Sequence, residues 1–511
     1  MLRTRGPGGG SGEGRRCLVS ERLAQLVDGS LESPERGPQI AAYDPATEQL
    51  LGLAPEADAG VVAKAVAAAR RAFDDGSWSM LPVQERASKL RLVADLLEEN
   101  LETFAKAETA DTGMTLKMTT QGHLPRAVAH LRFFAEEAVR MSGECIPMDG
   151  AYFHLVQREP LGVIAVLAPW NAPLAVATMN VAAALAVGNT VVLKSSERAP
   201  VTLSLLAKLF AAAEFPPGVI NVIHGRGQPT GEALAFAGGV DGLCFVGGTE
   251  TAKTISRWAP IHRRNIFELG GKSPTIVLAD ADLDAAVDGA LLSAFSSNGE
   301  VCTAGSRILV HERLQNEFLS RFAERVRAIR VGDPRDPRTE MGPLIDAAHL
   351  QHVRTSVERA VGEGATLVCG GQRPTGLSHG HYMTPIVLTD VDTGMEIAQE
   401  EVFGPVAAIF PFRDDEEAVS LANDTNYGLS ATIWSADSSR GLALARHLRC
   451  GVVGVNSPVI RDIRAPFGGR RESGIGRVGG KWSLEQYTEV KTICVRVSGL
   501  ALPRLGTGSA S

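Results

Sequence analysis

No Cys-x-x-Cys pair occurs among the seven cysteines, Cys17, Cys145, Cys244, Cys302, Cys369, Cys450 and Cys494, which are odd in number and widely scattered. This pattern argues against a disulfide framework and a structural zinc site, and it fits a reducing compartment such as the cytoplasm. The 11 histidines form no ligand cluster, so no metal is expected. No apolar run approaches the roughly 20 residues needed to span a bilayer. The opening "MLRTRGPGGGSGEGRRC" is followed by no apolar core of the signal-peptide kind, so neither a membrane partner nor export is expected. Beyond that opening there is no long basic run, and 51 Lys and Arg stand against 58 Asp and Glu. A nucleic-acid partner therefore has little electrostatic support. No internal repeat of fixed period is present.

What is there is an ordinary globular composition, 44% hydrophobic and 21% charged, in a chain of 511 residues that is too long for one common core. Apolar residues recur at helical spacing from Ala57 to Phe73 and from Pro82 to Ala107, where Leu90, Val93, Leu97, Leu101 and Phe104 form one stripe. Strand-like and helix-like stretches then alternate: "GVIAVLAPW", "MNVAAALAVGN", "TVVLKSS", "VTLSLLAKLFAAAEF" and "GVINVIHG". Such alternation predicts a doubly wound parallel sheet with helices on both faces and ligands beyond the carboxyl ends of its strands. A second alternating region from about Lys272 to Cys450 predicts a second α/β domain. The stretches "YFHLVQREPL" and "EQYTEVKTICVRV" predict a protruding β arm that buries its apolar residues against another subunit. The expected boundaries are a disordered tail at 1–26, a first domain at 27–145 and 162–271, the arm at 146–161 and 484–498, a second domain at 272–483 and a C-terminal tail at 499–511.

Several short segments carry residue types suited to chemistry. "SSNGEVCTAGSR" sets Cys302 among small and polar residues, though a free cysteine is usually a small buried hydrophobe. "FELGGKSP" puts Glu268 ahead of Gly270 and Gly271, which by themselves read as a turn whose glycines supply unusual dihedrals. "APWNAPL" places Trp170 and Asn171 between two prolines past a buried strand. Lys194 closes a strand, with Glu197 three residues on. In "CFVGGTETAK", Gly247 and Gly248 lie between strand and helix, where backbone can approach a phosphate. Each signal taken singly is modest.

Together and in this order, "PWN", "LKSSE", "FVGGTE", "FELGGKSP", "GEVCTAGSR", "EEVFGPV" and "PFGGRRESGIGR" resemble the aldehyde dehydrogenase superfamily from about residue 27 to 497. The resemblance implies that Cys302 is the nucleophile, Glu268 the general base and Asn171 the side-chain part of an oxyanion site. A Cys302 thiolate would attack the aldehyde carbon, the Asn171 amide and the Cys302 N–H would stabilise the oxyanion, and hydride would leave for a nicotinamide. Glu268 would then activate water to hydrolyse the thioester. The resemblance also implies an NAD cofactor, with the nicotinamide ribose on Glu401, Phe403 near the ring and the adenosine ribose on Lys194 and Glu197. Trp170, Gly247, Gly248 and Leu269 are further cofactor candidates. A carboxylate at 197 favours a free 2′-hydroxyl over a 2′-phosphate.

Within the superfamily, "VNSPVIRDIRAPFGG", "FSSNGEVCTAGSRI" and "LPRAVAHLRFFAE" look most like the branch acting on muconic semialdehydes, including 5-carboxymethyl-2-hydroxymuconate semialdehyde. That implies Arg126, Arg461 and Arg464 as contacts for an acidic aldehyde, because a guanidinium fork suits a carboxylate. The alternatives are an aliphatic, aromatic or betaine aldehyde, or a non-catalytic scaffold of the same fold. The resemblance further implies a homodimer or homotetramer. Val246, Gly248 and Val478 depart from residues that many relatives carry.

Overall fold

The computed structural model describes residues 21–148, 151–497, 499 and 505–506. Two large sheets organise it. The first has eight strands in the order Gly474–Ile475, Arg264–Glu268, Gly242–Val246, Val163–Leu167, Thr190–Ser195, Ile220–His224, Gln25–Val27 and Ser30–Glu32. Its five central strands run parallel and its edges antiparallel. Val163–Leu167, Thr190–Ser195 and Ile220–His224 are buried at every position, as expected where helices cover both faces. On one face the helices Leu124–Val139 and Pro173–Ala186 share a core through Leu131, Phe134 and Leu185, while Ala59–Asp74 covers the other with Val62, Ala65 and Ala69.

The second sheet has seven strands in the order Thr366–Cys369, Ile386–Thr389, Val406–Phe412, Arg307–His311, Pro274–Val277, Ser430–Trp434 and Val452–Val455. All its pairings are parallel except the first. A third sheet of three antiparallel strands, Glu144–Met148, Tyr152–Pro160 and Thr488–Arg496, forms the arm. Register pairs Phe153 with Val495 and Leu155 with Ile493, and these four side chains remain 38–41% exposed.

Three expectations need correction. The tail expected at 1–26 lies outside the described residues up to position 20, but Gln25–Val27 is a strand of the first sheet, because Leu23, Leu26 and Val27 are apolar and buried. The helical stretch from Pro82 to Ala107 is two helices, Val83–Glu99 and Leu101–Thr112, since the Asn100 side chain donates to the Leu96 carbonyl at 2.7 Å and offers the backbone a way out of the helix. The arm begins at Glu144, and residues 484–486 belong instead to a helix, Gly480–Gln486, whose Leu484 sits in the first domain's core. Most of the C-terminal tail expected at 499–511 lies outside the described residues.

Candidate active site

In the first sheet, chain order reverses between Val163–Leu167 and Gly242–Val246, which opens a crevice beyond the carboxyl ends of these strands. Trp170 and Asn171 follow the first of them, Gly247 and Gly248 the second, and Glu268 ends the neighbouring strand Arg264–Glu268. The second sheet faces this crevice with its amino ends: Cys302 precedes Arg307–His311, and Glu401 and Phe403 precede Val406–Phe412. The short link Leu269–Ser273 passes from the carboxyl edge of one sheet to the amino edge of the other.

That crossing explains the two glycines after Glu268. Neither has a positive φ, so the expectation of unusual dihedrals is wrong. They are small because the backbone is crowded. A Cβ at Gly270 would overlap the Glu401 carboxylate, and one at Gly271 would come within 2.7 Å of the Cys302 carbonyl oxygen. The Gly271 amide donates to Glu401 Oε1 at 2.9 Å, tying the cofactor candidate to the link that follows Glu268. Asn171 Nδ2 donates to the Glu300 carbonyl at 2.9 Å, two residues before Cys302. One amide hydrogen is thus used to orient the group, and the other is left for an oxyanion.

Cys302 is partly buried, and Glu268 is buried with Oε1 lacking any hydrogen-bond partner. Burial pushes the Glu268 carboxyl up to about 7, against the pull of Arg461 and Arg126. Burial likewise pushes the Cys302 thiol up to about 12, with Arg461 lowering it and Glu401 and Glu268 raising it. The resting thiol is therefore protonated at neutral pH, while Glu268 is poised between acid and base.

On the cofactor side, the Lys194 ammonium is buried and donates to the Ser195 carbonyl at 2.7 Å and to the Gly225 carbonyl. Burial lowers its pKa to about 8, opposed by the charges of Glu197 and Glu56. Glu197 is partly buried at the same strand end. Gly248 caps the ten-residue helix Thr249–Trp258 in extended conformation, and a Cβ there would meet nothing within 4 Å. This open helix N-terminus suits a dinucleotide diphosphate. Leu269 is buried, its amide on the Ser473 carbonyl at 3.1 Å. Trp170 stands edge-on to Phe403, ring centroids 5.3 Å apart.

The three arginines separate. Arg126, on the helix Leu124–Val139, makes no hydrogen bond or ion pair among the described residues. Its pKa falls to about 10, chiefly through burial and then through the charge of Arg461. Arg461 lies 3.7 Å from the centroid of the Phe467 ring and contacts Met179 Sδ at 3.4 Å, with no carboxylate partner among the described residues. Arg464 departs from expectation. Its side chain is 78% exposed and its fork is filled by Asp462, with Nη2 to Oδ2 at 2.6 Å, because the two side chains meet across a tight two-residue turn. Sequence reasoning missed Glu300, His349, Met179 and Phe467 as supports of this site; all but Phe467 are far along the chain from the residue they hold.

The geometry brings together a cysteine thiol, a buried carboxyl and an amide donor beside the crevice of an α/β sheet. The chain belongs to the aldehyde dehydrogenase family, whose model matches residues 32–493. It is 41% identical over 464 residues to human 2-aminomuconic semialdehyde dehydrogenase, covering 89% of this chain and 95% of that one. It is 42% identical over 445 residues to 5-carboxymethyl-2-hydroxymuconate semialdehyde dehydrogenase of Escherichia coli, covering 86% and 94%. A solved NAD+ complex of an aldehyde dehydrogenase from Bacillus cereus is similar with a TM-score of 0.91 at 36% identity, covering 94% of this chain and 97% of that one. The protein is an NAD-dependent aldehyde dehydrogenase. No helix among the described residues is long and apolar enough to cross a membrane.

Proposed function

We propose that the protein oxidises a carboxylated semialdehyde, such as 5-carboxymethyl-2-hydroxymuconate semialdehyde or a related muconic semialdehyde, to its carboxylic acid with NAD as acceptor. The observation that carries this reading is the pair of guanidiniums, Arg126 and Arg461, beside Glu268 and Cys302 and without carboxylate partners. Two partly buried cations that meet no carboxylate among the described residues favour an anion between them, and a substrate carboxylate is the natural one. The names of the human and Escherichia coli relatives point to the same chemical class.

In this reading Glu268 as carboxylate takes the Cys302 proton, and the thiolate adds to the aldehyde carbon. The carbonyl oxygen becomes an oxyanion held by the second Asn171 N–H and the Cys302 backbone N–H. NAD, held by the residues named below, would supply the acceptor for the hydride that leaves the carbon, and a thioester would remain on Cys302. Glu268 passes that first proton to solvent and, again a carboxylate, takes a proton from water as that water adds to the thioester carbon. The C–S bond then breaks, the acid is released and the thiol is restored. Glu401 and Phe403 hold the nicotinamide end, and Lys194 and Glu197 hold the adenosine ribose, where the Glu197 carboxylate disfavours a 2′-phosphate. The arm's apolar face is covered by another copy of the chain in a homodimer or homotetramer, working in the cytoplasm.

The test follows NADH absorbance with purified protein, NAD or NADP, and propanal, benzaldehyde, betaine aldehyde, succinic semialdehyde and enzymatically generated 5-carboxymethyl-2-hydroxymuconate semialdehyde. The expected result is preference for the muconic semialdehyde with NAD. Turnover of the neutral or cationic aldehydes alone would overturn the substrate assignment.

A further inference from the structure

Phe403 stands in the left-handed region, with φ of 56°, although it is not glycine. A large side chain rarely holds that conformation without surrounding contacts that impose it. Here three are visible. The His349 Nε2–H donates to the Phe403 carbonyl at 2.7 Å. The Trp170 ring lies edge-on to both, with centroids 5.3 Å from Phe403 and 5.5 Å from His349. The next residue, Gly404, is packed so closely against Val353 that a Cβ would come within 2.6 Å of it.

His349 also borders the nucleophile's own segment. Its Nε2 is 3.8 Å from Oε1 of Glu300, a fully buried carboxyl that accepts from the Ile345 amide at 2.9 Å and whose backbone carbonyl orients Asn171. Gly299 is in backbone contact with Gly404 and Pro405, so the segments before Cys302 and after Glu401 press on each other. The imidazole spans the two from the helix Ala347–Gly362.

We propose that His349 is a positioning residue for the cofactor: by holding the Phe403 carbonyl it fixes the left-handed turn that aims Phe403 and Glu401 at the nicotinamide end of NAD. This rests on the reading that Glu401 and Phe403 face that end. Burial lowers the His349 pKa to about 4, so the ring is neutral at neutral pH and acts through one N–H donor. An amide can supply the same donor, which makes the role distinguishable from simple packing.

The experiment measures the NAD dissociation constant by calorimetry on the intact protein, without aldehyde, for the native chain and for His349→Leu, His349→Gln and Glu401→Gln. Rapid labelling of Cys302 in the absence of NAD reports whether the nucleophile's segment is intact. The Leu variant should bind NAD about tenfold more weakly, the loss of one well-placed buried donor, and the Gln variant should recover to within about twofold of native. Cys302 labelling should stay within about twofold in both. Native NAD affinity in His349→Leu, failure of Gln to rescue, or a labelling change as large as the affinity change would each overturn the proposal. If Glu401→Gln also binds NAD like the native chain, the underlying placement of the cofactor fails; if it binds weakly while His349→Leu does not, only the role of His349 fails.

Discussion

Arg461 rests on the face of Phe467, and its charge lowers the pKa of Arg126, so two guanidiniums share one side of the active site with no carboxylate paired to either. Their joint field also reaches Glu268 and Cys302. An acidic substrate entering this field gains charge-assisted hydrogen bonds; a neutral one gains nothing from it.

Changing Arg126 or Arg461 to Gln should therefore raise KM for an acidic semialdehyde by about 10- to 100-fold and leave a neutral aldehyde within about twofold. Arg464→Gln should leave both within about twofold, since its fork is already occupied by Asp462 in solvent. Steady-state kinetics on the paired substrates decide it. An equal loss on both substrates would mean that the arginines shape the site and do not read its anion.

Asn171 illustrates how much of the site was legible before the fold was known. "PWN", "FELGG" and "GEVC" marked the candidate reacting groups because such chemistry needs particular side chains at particular places along the chain. The supports behind them left no such mark. His349 and Met179 act on residues 54 and 282 positions away, and only packing brings them together. Gly270 and Gly271 were visible as glycines, but their reason, contact with Glu401 and with the Cys302 backbone, belongs to a meeting of two sheets. The fate of Arg464 was equally hidden: the same sequence that placed Asp462 two residues before it did not say which partner it would choose.

For Asn171 itself, replacement by Ala removes one oxyanion donor and the tie to the Glu300 carbonyl. The expected loss in kcat is about 100- to 1,000-fold, with NAD binding unaffected. Single-turnover kinetics should place the loss in formation of NADH. A loss confined to the later hydrolytic step would assign the amide elsewhere.

Glu268 predicts two pH effects of opposite use. As a base with pKa about 7, it should make hydrolysis of the thioester rise with pH through neutrality and level off above about 8. The same raised pKa costs stability: the protonated carboxyl is tolerated in its buried place, so the favourable contribution is complete below the unfolded value near 4.5 and is lost as pH rises through 7. Glu268→Gln should hence abolish most of the hydrolytic step yet raise the unfolding temperature at pH 8, with little change at pH 5. Thermal unfolding at the two pH values checks the sign. A variant less stable at pH 8 would show that the carboxylate is satisfied where the structure leaves its Oε1 without a partner.

The arm carries the last prediction. Phe153, Leu155, Ile493 and Val495 form two directly opposed pairs on one face of an antiparallel sheet, each more than a third exposed. The sheet has no second layer of its own over these residues, and three strands with an uncovered apolar face are a weak structure in water. A second copy of the chain supplies the missing layer most economically, since one self-complementary patch serves both partners. Leu155→Glu together with Ile493→Glu places like charges directly opposite each other and at the centre of that patch. Light scattering should show the double variant shifted to a smaller species than the native assembly. Because the candidate site lies between the two large sheets, the NAD dissociation constant of the smaller species should remain within about threefold of native. An unchanged mass would mean that the face is not buried between copies, and a lost NAD affinity would mean that the arm supports the cofactor crevice directly.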